Sequence, residues 1–146
     1  MSILTGMSRA VWLFVPFSVL FATCPAAADI MQPGYQRCGT GPRVNCIVDG
    51  DTLWNDGVKI RVADIDTPEV SEPRCAAEKA LGDRATVRLM ELVNAGQFQM
   101  HSRPGHDEDK YGRKLRVLVR DGRSLGDILV SERLARTWTG RRQPWC

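Results

Sequence analysis

The chain has no apolar run long enough to cross a membrane. Its longest, residues 11–23, covers 13 positions, short of the ~20 a spanning helix requires. The run follows Arg9 and ends in the small residues of "AAAD", the layout of an export signal. Cleavage is expected after Ala28, leaving no membrane contact; an uncleaved anchor is the alternative. Charge of one sign is also lacking. The formal net charge of +3 is too small to argue by itself for a nucleic-acid partner. Arg133, Arg136, Arg141 and Arg142 do gather near the C-terminus, which reads equally well as a solvated surface. There is no Cys-x-x-Cys pair, so a zinc site is not expected. Internal repeats and low-complexity tracts are absent, and one domain is the natural reading of a chain this long.

Four cysteines follow the export signal: Cys38, Cys46, Cys75 and Cys146. An even number in an exported chain points to two disulfides. Of the three possible connectivities we favour Cys38–Cys46 with Cys75–Cys146.

Residues 29–43 are rich in glycine and proline and read as an irregular lead-in to a domain over 44–146. Val44, Cys46 and Val48 alternate as in a strand, and Gly50 suggests a bulge. "NDG" at 55–57 signals a hairpin turn, and Val58, Ile60 and Val62 alternate on the return. A helix is expected from about Ala76 to Asn94, with Leu81, Ala85, Leu89, Leu92 and Val93 on one face and Gly96 as its stop. Gly82 argues against helix in its first turns. Phe98 and Met100, then Leu115, Val117 and Val119, read as two more strands. "DG" at 121–122 turns the chain, and Ser124 caps a second helix with Asp127 three residues on. Residues 134–138 suit one last short strand. Short strands with an inserted helix give a mainly β fold with α, a small Greek-key barrel of the OB type with two helices. An open α+β sandwich is the competing architecture.

The chemistry concentrates in "VDGDT" (48–52), Arg61, "DIDTPE" (64–69) and "DKYGR" (109–113). Neighbouring carboxylates repel. Either each points to solvent, or a hard cation such as Ca²⁺ gathers Asp51, Asp66 and a backbone carbonyl of the "DT" turn. Pro68 stiffens the loop that carries Glu69. An EF-hand beginning at Asp107 fails, because its twelfth position is Leu118 and not an acid. Two guanidiniums, Arg61 and Arg113, beside a metal-bound cluster could neutralise charge on a phosphorus centre. Glu69 would then orient or deprotonate the attacking water. His101 and His106 read as surface residues.

These four motifs, in this order and spacing from about Cys46 to Trp138, resemble the staphylococcal nuclease (thermonuclease-like) family. The resemblance implies an OB barrel with helices and Ca²⁺-dependent hydrolysis of DNA and RNA. It implies Asp51, Asp66 and the Thr67 carbonyl as calcium ligands, and Arg61, Glu69 and Arg113 as catalytic positions. Lys110 and Tyr111 would contact a terminal phosphate of a bound nucleotide. Trp138 or Tyr111 would stack on a base, while Trp54 and Trp145 are expected to pack. The function so implied is an exported, monomeric, calcium-dependent nuclease of low sequence specificity; a non-catalytic nucleic-acid-binding barrel is the alternative. Asp64 departs from the pattern, and is expected to pair with an arginine rather than support the cation site.

Overall fold

The computed structural model describes residues 34–146; the expected export signal lies outside the described residues. The elements in chain order are β1 (Gln36–Arg37), β2 (Cys46–Asp49), β3 (Thr52–Asn55), β4 (Val58–Val62), β5 (Ile65–Asp66), α1 (Ala76–Asn94), β6 (Gln99–Ser102), β7 (Lys114–Arg120), β8 (Arg123–Ser124), α2 (Leu125–Ser131) and β9 (Arg136–Thr137). None of these helices is long and apolar enough to cross a membrane.

The main sheet runs β1-β2-β3-β4-β7-β6, with β8 also paired to β7. β2, β3 and β4 form an antiparallel meander. β4 then pairs in parallel with β7, which pairs antiparallel with β6. Counting only these five strands, the spatial order is first, second, third, fifth, fourth. This is a Greek-key order of the OB type with α1 inserted between the third and fourth strands. Among the described residues no pairing joins β6 back to β2. A separate two-stranded sheet joins β5 to β9.

Local chemistry accounts for the turns. Asp56 and Gly57 both take positive φ (48° and 77°), as a two-residue hairpin with the right twist requires. Asp121 and Gly122 repeat this between β7 and β8, at 50° and 74°. α1 begins at Cys75, whose sulfur accepts the Glu78 N–H, and α2 at Ser124, whose Oγ accepts the Asp127 N–H.

α1 lays Ala85, Leu89, Leu92 and Val93 over Ile47, Leu53, Ile60, Val62 and Ile65, and Leu125 and Leu129 of α2 close the same core. On β7 the alternation marks the strand but not its core face. Leu118 is fully buried, whereas Leu115, Val117 and Val119 are half-buried. The Leu118 side of β7 packs into the core with Leu125 and Leu129 of α2, and the side carrying Leu115, Val117 and Val119 is only partly covered. Both expected disulfides are present, Cys38–Cys46 and Cys75–Cys146.

Asp64 pairs with no arginine among the described residues, contrary to expectation. Its Oδ2 accepts the Ser124 hydroxyl, and its backbone carbonyl accepts the Trp138 N–H at 2.8 Å. The start of α2 covers the carboxylate: a Cβ on Gly126 would lie 2.9 Å from Asp64 Oδ2. Asp64 therefore joins α2 and the chain after β9 to the end of β4.

Gly82 sits within α1 because the loop after Pro68 leaves no room for a side chain. A Cβ there would lie 2.7 Å from the Pro68 carbonyl oxygen and 3.1 Å from that of Glu69. Alanine normally gains ~1 kcal/mol over glycine in a helix. Here Gly82→Ala should instead cost about 1–3 kcal/mol through overpacking, read by urea unfolding. A more stable variant would show that the loop yields freely.

Candidate active site

β2 ends in a bulge, the register shifting between Ile47 and Asp49. The turn beyond it packs so closely that a Cβ on Gly50 would lie 2.7 Å from Ala85 Cβ and 2.9 Å from Thr67 Cγ2. Glycine lets the turn press against α1 and the chain after β5, and so brings Asp51 beside Asp66. Both are buried, at 3% and 4% exposure.

The buried guanidinium of Arg61 lies between them. Its Nη2 is 3.2 Å from Asp51 Oδ2 and 3.6 Å from Asp66 Oδ1. Its Nη1 donates to the Ile65 carbonyl at 2.9 Å and to that of Val62. Asp51 is held further, Oδ2 accepting the Thr67 N–H and Oδ1 the Thr52 hydroxyl, both at 3.1 Å. The nearby guanidiniums do not fully offset burial and the repulsion between these carboxylates. Burial, then Asp51, raises the pKa of Asp66. The same two causes push Asp49 up to about 6, although Asp49 accepts the Asp51 N–H.

The second arginine comes from the loop before β7. Asp109 Oδ1 accepts the Tyr111 and Arg113 backbone N–H groups, while Oδ2 accepts Arg113 Nε at 2.7 Å. Burial raises the Asp109 pKa, but these hydrogen bonds together hold it below its ordinary value. The Tyr111 ring is 71% exposed and lies beside Lys110 and Arg113, with the cations 5.0 and 5.5 Å from its centroid. Trp138 lies beside Arg61 at 5.8 Å.

Glu69 follows Pro68, and its N–H donates to Glu78 Oε1 at 3.3 Å. Glu78 is buried and also accepts the Arg74 N–H at 2.6 Å, so one α1 carboxylate gathers the Glu69 loop. Arg142 also reaches the site. Its Nη1 pairs with Glu69 Oε1, and its Nε is 3.5 Å from Asp66 Oδ1.

Arg61, Glu69, Lys110, Tyr111 and Arg113 all line one open groove of 1310 Å³, with Trp138 and Arg142. Asp51, Asp66 and Thr67 are not part of that lining and are buried. The expected residues thus come together in two layers. His101 and His106 are exposed as expected, His106 at the rim of the groove. Trp145 packs as expected, its ring 3.8 Å from the Arg136 guanidinium.

The donor set suits a hard, oxygen-liganded cation. Asp66 Oδ1 is buried and accepts no hydrogen bond, and the raised carboxyls need positive charge. Among the described residues no three acidic, histidine or cysteine side chains converge to hold a metal. Asp51 and Asp66 would therefore need the Thr67 carbonyl and water to complete the shell.

A sequence profile of the family described as staphylococcal nuclease homologue matches residues 59–144. The chain belongs to that family. It is 41% identical over 93 residues to the SPbeta prophage-derived endonuclease YokF of Bacillus subtilis (strain 168), covering 61% of this chain and 31% of that protein. It is 39% identical over 93 residues to endonuclease YncB of the same organism, covering 61% of this chain and 44% of that protein. The matched segment thus spans less than half of either relative. In this member of the nuclease family, Asp49 and Asp51 lie ahead of the profile match and Arg61 through Arg142 within it.

Sequence reasoning missed Asp49, Asp109, Glu78 and Arg142 as contributors. Asp49 and Asp109 sit inside motifs already singled out, and Arg142 is four residues before a cysteine. Glu78 is the third helical residue after its N-cap, an ordinary capping position, and carried no separate signal.

A carboxyl with a raised folded-state pKa binds its proton more tightly folded than unfolded. Its share of stability is complete below the ordinary value of 3.8 and is lost as pH rises through about 6,. Asp49→Asn keeps an acceptor for the Asp51 N–H and removes the charge. In chelator near neutral pH the variant should be more stable than the parent by on the order of 1–3 kcal/mol. The gap should close below about pH 4. Equal urea midpoints at both pH values would contradict the buried-charge account.

Proposed function

We propose that this chain is an exported, calcium-dependent nuclease that hydrolyses phosphodiester bonds of DNA and RNA with low sequence preference. One observation carries the reading: Arg61, Glu69 and Arg113 line a single groove together with Lys110 and Tyr111. The curated relatives named endonucleases favour the same class. Four cysteines paired into two disulfides support export, since such bonds persist in oxidising compartments.

Asp51, Asp66 and the Thr67 carbonyl would hold the calcium ion, which supplies positive charge beside the phosphate and acidifies bound water. Arg61 and Arg113 would each pair with non-bridging phosphate oxygens, and planar guanidiniums do so bidentately. Asp109 already fixes Arg113 through its Nε, so little ordering is left for substrate to impose. Glu69 takes a proton as water adds to phosphorus. The bond to the leaving ester oxygen breaks and that oxygen takes a proton from solvent, giving a phosphomonoester and a hydroxyl. Lys110 meets a neighbouring phosphate, and Tyr111 and Trp138 offer ring faces to any base.

The test uses single- and double-stranded DNA and RNA with calcium or with chelator. Cleavage is expected with calcium and none with chelator. Binding without cleavage in calcium would leave only a nucleic-acid-binding barrel. Arg61→Ala and Arg113→Ala should each lose about 10²–10³ in turnover. Glu69→Gln should lower kcat far more than it changes KM. Wild-type rates in both arginine variants would remove the phosphate clamp.

A further inference from the structure

We propose that Arg142 is an internal counter-cation, seated on Asp66 and Glu69 until a divalent ion displaces it. The inference rests on the reading of Asp66 as a cation ligand.

Three observations carry it. The first is position. Arg142 touches both the acid assigned to the cation and the acid assigned to water. Its pair with Glu69 stands between the substrate groove and a neighbouring cavity of 480 Å³, and both residues line each.

The second is tethering. Upstream, β9 is paired to β5, including Arg136 opposite Asp66. Downstream, Arg136 stacks on Trp145 and donates to the Pro144 carbonyl at 3.0 Å, and Cys146 is bonded to Cys75 beside the Glu69 loop. Only residues 139–143 bridge the two anchors. The guanidinium is therefore confined close to the acids, at the high effective concentration that a short tether gives.

The third is reversibility. Arg61 is buried and fixed by backbone carbonyls, but the Arg142 side chain is 50% exposed. It can leave at little cost for the groove, where a phosphate would receive it. Buried carboxylates are thus never left without a counter-charge. The cost falls on calcium affinity, because the ion must compete with an arginine carried by the same chain.

Calorimetric titration of calcium into the full mature protein tests this for wild type, Arg142→Gln, Arg142→Lys and Arg141→Gln. Arg141 lies on the same strap and is exposed, so its variant removes equal charge without the contact. Arg142→Gln should lower the calcium Kd about 3- to 10-fold, as expected for losing one or two half-exposed ion pairs. Arg142→Lys should stay near wild type, and Arg141→Gln should shift Kd less than about 2-fold at moderate salt, where exposed charges are screened. Equal shifts in Arg142→Gln and Arg141→Gln, or weaker binding by Arg142→Gln, would overturn the proposal while leaving the cation site standing. A wild-type protein that binds no calcium would overturn both.

Discussion

Everything in this site depends on one buried ion cluster, the Arg61 guanidinium held between Asp51 and Asp66. Charges out of water cost several kcal/mol each unless compensated. Each compensating contact here also fixes a backbone segment. Arg61 bonds two carbonyls that flank the link from β4 to β5, and Asp51 holds the Thr67 N–H. The same groups that neutralise one another therefore set the path of the loop that delivers Pro68 and Glu69. Loss of Arg61 would leave Asp51 buried without a cationic partner among the described residues.

The cluster is not balanced, and the imbalance has chemical meaning. Asp49 and Asp66 are both pushed toward the protonated form by burial and by Asp51. A barrel selected for stability alone would place apolar side chains there. Surplus negative charge, with Asp49 in the wall of the groove that Arg61, Lys110 and Arg113 also line and Asp66 buried beside it, fits the proposed cation site. On the proposed reading, Asp51 and Asp66 would face a cation and the groove arginines would face phosphate.

The hairpin and both helices were legible because their signals are local, and the disulfides were expected from an even count of cysteines after the export signal. A two-residue Asp-Gly turn dictates its own φ angles, and the α1 face repeats at helical spacing. The motif residues were legible as types in a spacing, and the fold does bring them to one place. What stayed hidden depends on contacts between distant segments. Asp64 looked like part of the acidic motif, yet a helix sixty residues later covers it. Gly82 looked like a helix defect, yet the loop after Pro68 requires it. The core face of β7 was concealed because the apolar alternation of Leu115, Val117 and Val119 marks its half-covered side, while Leu118 alone enters the core. Arg142 looked like one more surface arginine, since nothing in the sequence places the segment before Cys146 against Asp66 and Glu69.

That last bond bears on why the arrangement is tolerable at all. A disulfide closing a loop of 71 residues constrains the unfolded chain by about 4 kcal/mol in the loop-entropy account. A one-unit rise in a buried carboxylate's pKa costs ~1.4 kcal/mol near neutral pH. The first is about three times the second, enough to offset charge repulsion in the same corner of the fold. It joins the start of α1, where Glu78 gathers the Glu69 loop, to the end of the strap that carries Arg142. The stabilising constraint is thus anchored where the destabilising charges lie. Removing it would loosen the Glu69 loop and the Arg142 strap together, leaving the β2–β3–β4 meander and its Arg61 cluster in place.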